Sequence, residues 1–352
     1  AADTSVANFT VLDDGPNASL NATAVADAKT TPISLSVDET DGEQTDPVDS
    51  EGDRVSKASF ATLFDADTNT TGVQTAYGTD GAGSVAYALS LVNVNTSVAL
   101  TTALGSGLYA LDNTDTSTTD SDGYGQGAEI NLYNVSGVIT GSTATASANI
   151  DTTNTYFTIA VDNTTNLGDV TFTQTNNIWH ETTTDHNDPA SLALSEISPN
   201  VHVALRLTQT VTDADGDTAT ASVDLESSAA DTSVANFTVL DDGPNASVDL
   251  SSITTNGTIT PISLSVDETD GQDANPADNV ADRASKESFA QLFSTVTVNN
   301  ATTPDYGTDG AGSVAYALSL VNASTSAALT TALGSGLYAL DNTDTSTSND
   351  GY

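Results

Sequence analysis

Aspartate is spaced for cation ligation at one place above all. Asp213, Asp215 and Asp217 alternate through DADGD, and Asp241 and Asp242 open a later DDGP. The runs between them, Thr218–Leu225 and Ser233–Leu240, have eight residues each and are joined by ESSAADT. An antiparallel pairing with Thr218 opposite Leu240 sets Ala219 against Val239, Ala221 against Phe237 and Val223 against Ala235. Small then opposes large along one side, as cross-strand packing favours. That hairpin predicts that all five carboxylates meet at one spot. Two carboxylates ~4 Å apart repel by about 4 kcal/mol at an effective dielectric of 20, so such a group either splays into water or holds a cation. Ca2+ suits it: the ion takes about 6–8 hard oxygen ligands, and carboxylates with backbone carbonyls supply them. Gly216 permits the tight turn. The loop is not an EF-hand, because its Gly stands fourth rather than sixth. Mg2+ fits less well, being strictly octahedral and retaining water.

Further acidic groups recur. DDGP occurs first as Asp13 and Asp14, and VDETDG offers Asp38, Glu39 and Asp41, repeated as Asp267, Glu268 and Asp270. These join the candidate Ca2+ ligands. Asp80 and Asp112 read instead as solvated Asx turns. Acidic surfaces also suit proteins working in high salt, but here Asp concentrates in turns beside Gly while strands carry Thr and Ser, which favours ligation.

Catalytic constellations are poor, and no enzyme is expected. His180-Glu181 is followed by His186, a spacing that is not HExxH, and no GxSxG elbow occurs. Trp179, the single tryptophan, reads as a core or interface plug. Arg54 and Lys57 read as partners of nearby Asp.

The elements that must position these residues are organised by a repeat. AADTSVANFTVLDDGPN spans 1–17 and 229–245, YGTDGAGSVAYALSLVN spans 77–93 and 306–322, and TTALGSGLYALDNTDTST spans 101–118 and 330–347. The offset is 228 at the start and 229 through most of the copy. Residues 1–12 then read as the last strand of a preceding unit, 13–240 as one complete unit, either a single sandwich or two sub-sandwiches, and 241–352 as the first half of the next. The expectation is a window from a longer tandem array. The variable stretches, NATAVADAKT at 21–30 among them, read as loop tips or edge strands.

Period-two alternation dominates. Val201, Val203, Leu205 and Leu207 form one apolar face; Val85, Tyr87, Leu89 and Leu91 a second; Phe157, Ile159 and Val161 a third; Ile33, Leu35 and Val37 a fourth; Val170 and Phe172 a fifth. The exception is SKASFATLF at 56–64, where Phe60, Leu63 and Phe64 predict a short amphipathic helix, repeated at Phe289, Leu292 and Phe293. The fold class is all-β, with tandem β-sandwich units of antiparallel sheets and one short helix per unit.

Composition sets the outer limits. The 352 residues carry 48 Asp+Glu against 6 Lys+Arg, a formal net charge of -42. Such a polyanion lacks the basic face that nucleic acid or an anionic membrane surface requires. Cys is zero, so disulfide and thiolate-metal chemistry are excluded. No apolar run approaches the ~20 residues of a membrane span and no signal peptide is read at the start, so membrane insertion of this segment is not expected.

DADGDTATASVDL at 213–225 followed by FTVLDDGP at 237–244 resembles the extender repeats of giant RTX (repeats-in-toxin) adhesins exported by bacterial type I secretion. The likeness continues through SVDETDG, YGTDGAGSVAYALSLV, GVITG, YFTIAVDN, VTFTQ and IWH, without the GGxGxDxUx run of the calcium-binding β-roll. The resemblance implies Ig-like units rigidified by Ca2+ at their junctions, contacts with neighbouring units of the same chain, an extracellular or cell-surface location, and projection of an adhesive tip in adhesion and biofilm formation. It implies no catalytic residues. Two alternatives stand beside it: a subunit of a filament, sheath or surface layer with lateral self-association, and a carbohydrate-binding module using Trp179.

Overall fold

The computed structural model describes residues 9–39, 54–65, 77–115, 117, 125–230, 232–266, 284–298, 301–303, 306–340 and 343. The chain divides into residues 1–311 and 312–352.

Among the described residues the first part is a β-sandwich of one α-helix and three main sheets, with two further short strand pairs between 254 and 303. Its elements are α1 (Ala22–Thr30), β1 (Ile33–Asp38), β2 (Val55–Ser59), β3 (Ala82–Asn93), β4 (Leu104–Leu111), β5 (Gln126–Val135), β6 (Val138–Ser142), β7 (Thr155–Val161), β8 (Asp169–Gln174), β9 (Pro189–Ser191), β10 (Val203–Asp213), β11 (Thr218–Ser227) and β12 (Ala235–Leu240). The largest sheet runs β2-β8-β7-β6-β5-β4; two three-stranded sheets run β1-β12-β9 and β11-β10-β3. The alternating faces turn inward as their period requires. Leu35, Val37, Leu89, Leu91, Phe157, Ile159, Val170, Phe172, Val203, Leu205 and Leu207 are all buried in one core. Edge-on aromatic pairs pack the core: Phe172 of β8 meets Phe157 of β7 in its own sheet at 5.5 Å, and Phe237 of β12 in another sheet at 5.6 Å, between ring centroids.

Four expectations are corrected. The hairpin of Thr218–Leu225 with Ser233–Leu240 does not form. β11 pairs with β10 across the DADGD turn, with Val211 opposite Ala219 and Leu207 opposite Val223, while β12 leaves for another sheet. The shorter turn wins because closing a smaller loop costs less chain entropy. Second, not every pair is antiparallel: β1 and β12 run parallel, Leu35 opposite Phe237. Parallel strands need a long crossover, and nearly the whole repeat separates these two.

Third, the helix lies elsewhere. SKASFATLF forms β2 and then a 3-10 turn at Ala61–Leu63, and Phe60, Leu63 and Phe64 are buried without an α-helix. NATAVADAKT instead forms α1: four of its nine helical residues are Ala, Asn21 Oδ1 accepts from the Ala24 N–H at 3.1 Å as N-cap, and Pro32 follows its end. Fourth, residues 9–12, read as part of a closing strand, form none, and Phe9, Val11 and Leu12 are exposed. Their counterparts in β12 are held by β1 and β9.

In residues 312–340 the backbone forms no strand, only an isolated bridge between Val321 and Ala328.

Candidate functional site

The junction motif is made twice in the same way. Asp14 Oδ2 accepts the Thr79 N–H at 3.0 Å, and Asp242 Oδ2 accepts the Thr308 N–H at 2.7 Å. Gly78 and Gly307 have φ of +71° and +72°, and a Cβ there would stand 2.2 Å from the Asp14 carbonyl oxygen and 2.0 Å from that of Asp242. Only Gly permits so close a backbone approach. Each DDGP is thus clasped by the YGTDG loop of its own repeat, which sets Asp13 near Asp80 and Asp241 near Asp309.

The first copy of this clasp faces the β10–β11 turn. Ligand atoms of Asp13, Asp80 and Asp215 lie within 4.8 Å of one another, as do those of Asp213, Asp215 and Asp217. Asp213 ends β10 and is 3 % exposed; its Oδ1 accepts from Gly216 N at 3.0 Å and Asp217 N at 2.8 Å, while Oδ2 is buried without a hydrogen-bond partner. Crowding shows in the acidities. Loss of hydration and then the Asp13 carboxylate raise the pKa of Asp80; Asp213 raises that of Asp215; Asp13, then Asp215, raise that of Asp217. Hard oxygens from three chain segments, one of them buried and unpartnered, are the donor set that Ca2+ takes.

The second copy of the clasp faces a different group. Ligand atoms of Glu39, His180 and Asp241 lie within 4.8 Å of one another. Glu39 follows β1 and is fully buried; its Oε1 accepts from Ile178 N at 2.8 Å and from Gln174 Nε2, and its Oε2 has no partner. The His180 side chain is 4 % exposed, with Nε2 3.8 Å from Glu39 Oε1. Burial pushes the Glu39 pKa up to about 7, against the lowering effect of His180 and the Ile178 N–H. Burial likewise pushes Asp241 to about 6. Burial pulls the His180 imidazole down, but the Glu39, Asp241 and Asp309 carboxylates outweigh it and raise the pKa. Asn177 braces the clasp: its Nδ2 donates to Asp309 Oδ1 at 2.8 Å and to Thr308 Oγ1 at 3.0 Å, and its Oδ1 accepts from Arg54 at 2.9 Å.

The expected five-carboxylate convergence is therefore corrected. Asp213, Asp215 and Asp217 do meet, but with Asp13 and Asp80; Asp241 belongs to the group of Glu39 and His180, and Asp242 caps the Thr308 N–H. The residue types were the expected ones, and the repeat copy was not. Asp38 is buried at the end of β1. Asp41, Asp267, Glu268 and Asp270 lie outside the described residues. Asp112 is the Asx turn expected, its Oδ1 accepting from Thr114 N at 2.9 Å and Thr114 Oγ1 at 2.7 Å, which lowers its pKa. Lys57 pairs with Asp169 at 3.0 Å, and Trp179 packs edge-on against Tyr109. Sequence reasoning missed the parts played by Asp80 and His180. The common offset of DDGP and YGTDG signalled the first; nothing local signals the second, since Glu39 and His180 meet only through the sheets.

A family model described as a domain of unknown function, DUF5801, matches residues 34–226, more than half of the chain. The chain belongs to the DUF5801 family. The DUF5801 match runs from β1 through most of β11, and takes in Glu39, Asp80, His180 and the DADGD turn, while both DDGP segments lie outside it. No curated protein and no solved structure matches the chain.

Proposed function

We propose that this chain is a structural extender segment of a large secreted bacterial surface adhesin, stiffened by Ca2+ at the start of each repeat. The observation that carries the reading is the gathering of Asp13, Asp80, Asp213, Asp215 and Asp217 from three chain segments around the buried, unpartnered Asp213 Oδ2. Ca2+ held there would neutralise the mutual repulsion and tie the DDGP entry, the YGTDG loop and the β10–β11 turn into one body. The adhesin role rests on the sequence resemblance and on the repeat: a DDGP entry clasped in the same way by the YGTDG loop of its own repeat in both copies suits a spacer whose length is set by copy number. Extracellular calcium modules bind with a Kd of about 10⁻⁴–10⁻³ M, so the ion would order a junction only outside the cell.

Calorimetric titration with Ca2+ tests this, beside small-angle scattering with and without EDTA. Binding in that range, at least tenfold weaker in the double variant Asp215→Asn, Asp217→Asn, is the expected result. Scattering profiles and melting temperatures indifferent to EDTA would overturn the calcium reading. Ordered lattices of the purified segment in electron micrographs, in place of separate rods, would favour the filament or surface-layer alternative.

A further inference from the structure

The group around His180 differs in kind from the all-aspartate group. An imidazole nitrogen is a poor ligand for Ca2+, which selects hard oxygen, and a good one for Zn2+, Ni2+, Cu2+ and Fe2+. We propose that Glu39, His180 and Asp241 form a site for a divalent transition metal of the zinc class, joining one repeat to the first residue of the next. Glu39 follows β1 and His180 lies in the segment between β8 and β9 of the first repeat, and Asp241 opens the second. The inference needs none of the Asp213–Asp217 group and stands apart from the calcium reading.

The buried atoms without partners carry it. Glu39 Oε2, both ring nitrogens of His180 and Asp241 Oδ1 are buried with no hydrogen bond. Buried polar atoms are ordinarily satisfied, and several on neighbouring side chains from distant parts of a chain point to a missing common partner. An ion pair alone does not supply it. At 3.8 Å the His180 Nε2 is too far from Glu39 Oε1 for a hydrogen bond, and that oxygen is already engaged by Ile178 and Gln174. Tetrahedral Zn2+, with bonds of about 2.0–2.2 Å, sets its ligand atoms about 3.4 Å apart. A group already within 4.8 Å has little to close. Glu39 is also held as a metal ligand should be, its Oε1 fixed by a backbone N–H and a buried amide while Oε2 is left without a partner. Asp309, whose charge acts on all three, is placed to neutralise the ion further, with water completing the shell.

The test uses the full chain, stripped with chelator and titrated with Zn2+ in millimolar Ca2+. The expected result is one site filled at micromolar Zn2+, weakened at least tenfold by Asp241→Asn and by His180→Ala, and unchanged by His186→Ala. No zinc binding, wild-type affinity in His180→Ala, or an equal loss in His186→Ala would overturn the proposal. Should His180→Ala fail to fold, the imidazole nitrogen resonances of the wild-type chain decide. Zn2+ should shift those of His180 and leave those of His202, which pairs with Glu196 at 3.0 Å; an unmoved His180 overturns the site. The Asp215→Asn, Asp217→Asn variant should keep wild-type zinc affinity, so failure of the calcium reading and failure of this one are separately visible.

Discussion

Residues 82–93 and 311–322 have the same sequence, AGSVAYALSLVN, and different structures. The first is β3, hydrogen-bonded to β10 along its length, with Tyr87, Leu89 and Leu91 buried. The second forms no strand; Leu318, the counterpart of Leu89, is 104 % exposed where Leu89 is 2 % exposed. The same holds for LGSGLYAL, which is β4 at 104–111 and no strand at 333–340. What the second copy lacks within this sequence is a counterpart of β10, β5 and the rest of the facing sheet. The turn after the strand is indifferent to that loss. Ser97 N donates to Asn93 O and Ser326 N to Asn322 O, both at 2.8 Å, and Ser97 and Ser326 share a φ of 55°. Turns close on their own residues, whereas strands need a partner and a buried face.

Hydrogen exchange gives the largest contrast. Because the two segments are identical, a peptide covering AGSVAYALSLVN should show two isotope envelopes, one exchanging about 10³-fold more slowly than the other. A single envelope would break the comparison. Next, Leu89→Ala should cost about 3 kcal/mol in denaturant unfolding, while Leu318→Ala stays within about 0.5 kcal/mol. Equal effects would mean that both copies bury the residue. Gly78→Ala, which drives a Cβ onto the Asp14 carbonyl at positive φ, should cost about 2 kcal/mol. Gly307→Ala should free the second clasp while leaving the melting of the first repeat's core unmoved, and a shared loss of core stability would show the two to be coupled.

The smallest effect is electrostatic. Burial raises the Glu226 carboxyl to about 7, against the Ser227 N–H and Ser233, which lower it. Between the ordinary value of 4.5 and about 7 the folded state holds more protons than the unfolded chain, so stability falls as pH rises through that window. Glu226→Gln should remove that fall, worth about 1 kcal/mol once solvent screening of a part-exposed group is allowed for. A pH profile identical to wild type would take Glu226 out of the account.

Much of this was legible along the chain. The five apolar faces, the repeat and its offset, the Asx turn at Asp112 and the acidity of DADGD all follow from spacing over a few residues. What was misread depended on which segment meets which. Equal lengths made 218–225 and 233–240 look like a hairpin, yet β10 is the nearer partner of β11. Apolar spacing at Phe60, Leu63 and Phe64 looked helical, yet a 3-10 turn buries the same three side chains. His180 carried no local sign of its role, because Glu39 and Asp241 reach it only once β1, β8 and β12 are assembled.

The amino-acid order alone determined period-two patterning, turn chemistry and the places where carboxylates crowd, since these are short-range consequences of side-chain type. Tertiary structure alone decided strand partners, which repeat's aspartates share a site, and whether an identical dodecapeptide is a buried strand or exposed chain. The physical reason is the same throughout: sheet hydrogen bonds and apolar burial are interactions between distant segments, and a segment has their free energy only when its partner is there.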